Sequence, residues 1–216
     1  MKTRASPGFF MDVGMSVAEV IRHFSQRTDL SIDVNDVVDL VKAKGLQDEI
    51  EFIGVDYDTS IILGNFQKWT RRPGVYANPI YGVDIYFHRH LPLDWQRFVC
   101  CKELLHVFDP AFSLASTVED IQKLTDRIGL PPEMHDWVKD GYPAMSDHIR
   151  EYEALAVLLP MAARNQLAEP YEAGRVSLDA IARLADIPHR YVALAMHDAW
   201  PAVYERLMAM DGQEGA

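Results

Sequence analysis

Hydrophobic periodicity changes at Pro92, and this change constrains the fold more than any other feature of the chain. Before it, apolar residues alternate. Glu49 to Val55 carries Ile50, Phe52 and Val55, Thr59 to Trp69 is rich in β-branched and aromatic residues, and Tyr81 to His88 sets Val83, Ile85 and Phe87 on one face. These runs, punctuated by Arg72-Pro73-Gly74 and Asn78-Pro79, predict a sheet of about three strands. After Pro92 the spacing is helical almost throughout. It predicts helices over Leu93 to Phe108 (closed by Asp109-Pro110), Ser116 to Gly129 and Ser146 to Leu167, with a short one opened by Pro131-Pro132. Pro160 should kink or split the third of these. Ser177 to Ala185, Pro188 to Met196 and Val203 to Met210 complete the set. Ahead of the sheet, Ser16 and Glu19 form a capping box before Val17, Val20, Ile21 and Phe24, and Asn35 to Lys44 reads as a helix stopped by Gly45. The class expected is α+β, a small sheet packed by helices.

A chain of 216 residues with 49% hydrophobic and 25% charged residues can bury a core without staples. The one plausible boundary is the loop at Ala173-Gly174. It gives a main domain over 1–174, a helical extension packed on it over 175–210 and a flexible tail over 211–216. The longest apolar run, Ala154 to Ala163, is interrupted by Pro160 and reaches only half of the roughly 20 residues that a membrane span needs. Near the N-terminus no apolar stretch has signal-peptide length, so a cytoplasmic location is expected. With 32 acidic against 21 basic residues and a net charge of −11, the chain should repel a phosphate backbone, which argues against DNA as a partner. The only cysteines, Cys100 and Cys101, are consecutive in a helical stretch and read as buried, reduced thiols.

Chemistry concentrates in Arg97-Phe98-Val99-Cys100-Cys101-Lys102-Glu103-Leu104-Leu105-His106. In H-E-x-x-H, two histidines one turn apart ligate zinc, and the glutamate is the base for a metal-bound water. Here Glu103 and His106 hold the last two positions, and Lys102 stands where the first histidine belongs. A lysine ammonium has no lone pair to offer a metal. A second arrangement is open: His88-Arg89-His90 places two imidazoles on one side of a strand end, from where they could join His106 and a carboxylate in a rearranged metal site. Surface histidines are the plainer reading of that pair.

The strand Val83 to Phe87 followed by R-F-V-C-C-K-E-L-L-H resembles the ImmA/IrrE family of metallopeptidase-fold regulators. Farther on, Asp147-His148-Ile149-Arg150-Glu151-Tyr152-Glu153-Ala154-Leu155-Ala156-Val157-Leu158-Leu159-Pro160 is similar to that family's helix with an acidic zinc ligand. Val176 to Met196 is similar to its helix-turn-helix-like segment. The resemblance implies a zincin-like fold with C-terminal helix-turn-helix-like helices. It also implies Glu103 as the catalytic base, and His106 with Asp147 or Glu151 as the ligands of any bound zinc. The partner it implies is a protein, of the transcriptional-repressor kind. Lys102 departs from the pattern, and the expectation is a degenerate site in which this ammonium replaces the metal, giving a regulatory pseudo-peptidase with no cofactor. The alternative is an active metallopeptidase that uses His88 or His90 and zinc to cleave a repressor.

Overall fold

In a computed structural model, the structure describes residues 3–4, 15–46, 49–59, 62–74, 76–109 and 141–210. The helices expected between Ser116 and Pro132 and the tail over 211–216 lie outside the described residues. Strands β1 (Thr3–Arg4), β2 (Glu49–Val55), β3 (Gly64–Arg71) and β4 (Ile80–His88) form one mixed sheet in the order β1-β3-β4-β2. β3 runs antiparallel to both β1 and β4, and β2 runs parallel to β4. The helices are α1 (Val17–Phe24), α2 (Val34–Ala43), α3 (Leu93–Leu105), α4 (Gly141–Leu158), α5 (Met161–Glu172), α6 (Leu178–Ala185), α7 (His189–Met196) and α8 (Trp200–Ala209). The protein is α+β, as the change of period requires.

Most boundaries follow local chemistry. Ser16 and Glu19 cap α1 reciprocally, with Glu19 N–H donating to Ser16 Oγ at 3.2 Å and Ser16 N–H donating to Glu19 Oε2 at 3.0 Å. Gly45, at φ +117, ends the turn after α2 in a backbone region that side chains avoid. Three expectations need correction. β3 starts at Gly64 rather than Thr59, because the Ile62 N–H closes a turn onto Asp58 O at 3.1 Å. The long C-terminal helix splits at Pro160 as expected, with Pro160 as the N-cap of α5, but it starts at Gly141 rather than Ser146 and α5 runs past Leu167 to Glu172. The last helix begins at Trp200 rather than Val203, because Pro201 sits in its first turn, where a missing N–H costs nothing. The two-residue β1 also makes the sheet one strand wider than expected, a pairing too short to leave a pattern in the sequence.

β4 is flanked by β2 and β3, and its alternation fixes the core face. Val83 and Ile85 are fully buried, with Ile85 aligned between Phe66 of β3 and Phe52 of β2. On the opposite face, Trp69 lies across Gly82, where an added Cβ would meet the indole at 2.2 Å. Its Nε1–H donates to the buried Asp84 carboxylate at 2.6 Å. α3 packs on β3 and β4 and along α4. The run Ala154 to Leu159, too short to span a membrane, is wholly buried. Among the described residues no helix is long and apolar enough to cross one.

Two devices fix α3 in place. The Arg97 guanidinium donates to Ile32 O, ahead of α2, and to Ala185 O and Asp186 O, both at 2.6 Å. It thereby satisfies carbonyls at the end of α6, where Asp186 takes a left-handed conformation at φ 51. Gly64 lets β3 approach the middle of α3, since a Cβ there would lie 2.3 Å from Val99 Cγ1 and 3.0 Å from both Glu103 Cγ and Tyr86 O. Gly64→Ala is therefore expected to cost about 1–3 kcal/mol through overpacking. Gly74→Ala, whose new methyl would meet only Ala77 Cβ at 3.9 Å, should change stability by less than about 0.5 kcal/mol. Urea unfolding of the two variants beside the wild type checks both.

A candidate ionic centre between α3 and α4

The last turn of α3 presents Lys102 and Glu103, and the helix then tightens into a 3₁₀ turn over His106–Phe108. That turn brings Asp109 back toward His106: Asp109 N–H donates to His106 O at 3.1 Å, and Asp109 Oδ2 lies 2.6 Å from His106 Nδ1. From α4, Asp147 reaches the other side of the imidazole. Its Oδ1 is 3.5 Å from His106 Nε2 and 2.5 Å from Lys102 Nζ. Lys102 Nζ also stands 2.9 Å from Glu103 Oε1, as a second, buried ion pair. Arg150, one turn beyond Asp147, donates through Nε to Asp109 Oδ1 at 2.9 Å and also pairs with Glu153.

The centre is nearly dry. Side-chain exposure is 12% for Lys102, 4% for Glu103, 11% for His106 and 16% for Asp147. Burial pushes Lys102 down, but the Asp147 and Glu103 carboxylates outweigh it and hold the ammonium charged well above its ordinary range. Burial likewise pulls His106 down, yet the Asp109 hydrogen bond and the Asp147 carboxylate raise it to about 9, so the ring is cationic at neutral pH. Asp147, which burial pushes up, is held well below the usual carboxylate range by Lys102 and His106. Burial is also the main influence on Glu153 and raises it despite Arg150. Lys102, His106 and Arg150 thus face Glu103, Asp109, Asp147 and Glu153 in one network.

Lys102, Glu103, His106 and Asp147 therefore meet as the sequence reading anticipates. Between the two candidate acids, Asp147 makes the contacts with Lys102 and His106. Glu151, one turn along α4, instead acts on the Tyr191 phenol, which burial first and Glu151 second push upward. The other histidine pair is engaged elsewhere: His88 Nδ1 accepts from Tyr57 N–H at 3.0 Å, and His90 Nε2 lies 3.3 Å from the exposed Asp56. Asp109 and Arg150 were not foreseen. Their signals were an i, i+3 step from His106 and an i, i+3 step from Asp147, and such steps are too common on helices to single out a site. Phe66 walls the imidazole at 6.1 Å between ring centroids, and Lys68 Nζ donates to Val107 O at 3.3 Å. Cys100 and Cys101 are buried, and burial pushes both thiols up to about 12, which removes them as nucleophiles.

No protein-family model and no curated protein matches the chain. The zinc that the resemblance implies does not fit this centre as it stands. The Lys102 ammonium already holds the Asp147 oxygen that a metal would need, and it carries its own charge into the place of the metal. Among the described residues no group of three or more His, Cys, Asp or Glu side chains is arranged to hold a metal ion.

Two outcomes follow for stability. Lys102→Met keeps the bulk of the side chain but leaves two buried carboxylates without their counter-charge, and should cost about 3–5 kcal/mol in chemical unfolding. His106 has a folded pKa raised from 6.5 to about 9, so its contribution is complete below 6.5 and is lost as pH rises through 9. The unfolding free energy from urea denaturation should fall across that window by an amount on the order of 3 kcal/mol, and the urea midpoint with it. His106→Gln should flatten that slope.

Proposed function

We propose that this chain is a regulatory pseudo-peptidase of the ImmA/IrrE kind, with a zincin-like fold, that acts through protein contacts rather than by hydrolysis. Its partner class is a transcriptional repressor. The observation that carries the reading is the position of Lys102 Nζ, 2.5 Å from Asp147 Oδ1 and 2.9 Å from Glu103 Oε1. A general base needs a free lone pair within reach of a water or substrate proton. Glu103, 4% exposed and paired with a fixed ammonium, has neither the opening nor the freedom for that task.

The surrounding architecture supports the same reading. A strand leads directly into the helix bearing K-E-x-x-H, and a second helix supplies an acid to the same point, which is the arrangement the resemblance implies. Two short helices, α6 and α7, joined by the tight turn at Asp186, support the helix-turn-helix-like part of this reading. Their inward residues Ile181, Ala185, Val192 and Ala195 are fully buried, in keeping with a packing role, and the net charge of −11 speaks against DNA as the target.

Hydrolysis of unfolded protein and peptide substrates, with and without added zinc, is expected to stay at the blank level. In-cell crosslinking should recover a DNA-binding regulator at full length. Zinc-dependent cleavage that disappears in Glu103→Gln would show that the chain is an enzyme and end the proposal.

A further inference from the structure

The sheet has an open side at β2. In the order β1-β3-β4-β2 this strand is bonded to β4 alone, and among the described residues no backbone group pairs with its outer edge. Along a strand, the N–H and C=O of one residue point to the same side, and those of the next residue to the other. Val55 O accepts from Arg89 N–H at 2.9 Å, so Val55, Ile53, Glu51 and Glu49 turn their backbone toward β4. Ile50, Phe52 and Gly54 therefore turn theirs outward. The Gly54 carbonyl is already taken. Arg89 packs against the bare glycine, 3.2 Å from where a Cβ would stand, and its guanidinium donates to that oxygen at 2.8 Å. Ile50 and Phe52 each keep an open donor and acceptor, and their side chains pack on the margin of the core.

Charge decides what such an edge accepts. Between Lys44 and Lys68 the chain has no basic residue, and its acids are Asp48, Glu49, Glu51, Asp56 and Asp58. Glu49 and Glu51 are exposed and alternate with Ile50 and Phe52, so one face of the edge is acidic and the other apolar. Arg71 lies 3.5 Å from Glu49 and Arg89 3.3 Å from Asp56, in exposed pairs that water weakens. A second copy of this chain does not fit. Antiparallel pairing of Ile50 with Ile50 sets Glu49 opposite Glu51 of the other copy. Pairing of Ile50 with Phe52 sets Glu51 opposite Glu51, and like charges directly opposite are destabilising. Pairing of Phe52 with Phe52 avoids this clash but needs the Gly54 carbonyl that Arg89 holds.

We propose that the outer edge of β2 is a docking site for an extended segment of a partner protein in which apolar residues alternate with lysine or arginine. The segment adds a further strand beside β2. Its apolar residues lie against Ile50 and Phe52, its basic residues stand opposite Glu49 and Glu51, and its backbone takes up the open N–H and C=O groups. The glutamates that keep two copies apart are the ones that admit a basic strand. The assignment rests on the reading of a chain that works through protein contacts, names a surface for them, and does not involve Lys102.

The test is amide hydrogen exchange in the full chain, read residue by residue by NMR. The probe is a peptide of about nine residues, a strand's length, alternating lysine and valine. In the free chain the Ile50 and Phe52 amides should exchange at least about tenfold faster than those of Glu51 and Ile53, which are bonded to β4. The peptide should slow Ile50 and Phe52 by about tenfold or more. A peptide with the same residues in two blocks, and one alternating glutamate and valine, should slow neither. Glu49→Lys combined with Glu51→Lys should weaken the lysine peptide about tenfold and bind the glutamate peptide instead. Ile50 and Phe52 amides as slow in the free chain as their neighbours would show the edge already covered and overturn the proposal. Equal protection by the block peptide, protection by no peptide, or an unchanged preference in the charge-reversed variant would overturn it too. In each of those cases the non-hydrolytic reading still stands. Peptide hydrolysis by the wild type would overturn that reading and leave the exchange result at β2 untouched.

Discussion

One buried ammonium organises the interface between α3 and α4. Lys102 lies between a carboxylate from its own helix and one from α4, and both helices are otherwise joined by apolar packing. Apolar packing is non-directional, so alone it would tolerate a slide or rotation of one helix along the other. The ion pair with Asp147 and the two-sided clamp on His106 remove that freedom, because a displaced partner would leave a charge buried and unpaired. The same network extends through Asp109 to Arg150 and Glu153, so α4 is tied to the end of α3 at Asp147 and again at Arg150.

The rest of the fold serves to hold that helix end in place. The sheet supplies a flat support, and Gly64 allows β3 to sit against Val99 and Glu103 with no side chain between. Arg97, one helical turn and a half before Lys102, ties the middle of α3 to Ile32 and to the end of α6. The C-terminal helices thus contribute to the centre through α3, against which Tyr191 of α7 stacks at Phe98, 3.6 Å between ring centroids. They fix the helix on which it stands.

Much of the fold was legible because its signals are local. The capping box at Ser16, the turn at Gly45, the alternation from Tyr81 to His88 and the break at Pro160 each depend on a few neighbouring residues, and each appears where expected. The misplaced start of β3 and the missing β1 are failures of the same logic. A turn closed by Asp58 overrides a β-rich composition, and a two-residue pairing is decided by its partner strand. At the site, Lys102, Glu103 and His106 were legible because they share one helical turn. Asp147 was legible only as one of two acids on a helix face.

The sequence by itself determined the α+β class, the helix that carries the chemistry and the presence of a cation where a ligand was expected. All of these follow from residue types and short-range spacing. Tertiary structure alone decided that Asp147 rather than Glu151 meets Lys102, that Asp109 and Arg150 complete the network, and that His88 and His90 are engaged elsewhere. The physical reason is distance along the chain. Lys102 and Asp147 are separated by 45 residues, and which carboxylate meets the ammonium depends on how two helices rotate as they pack, which no local pattern encodes.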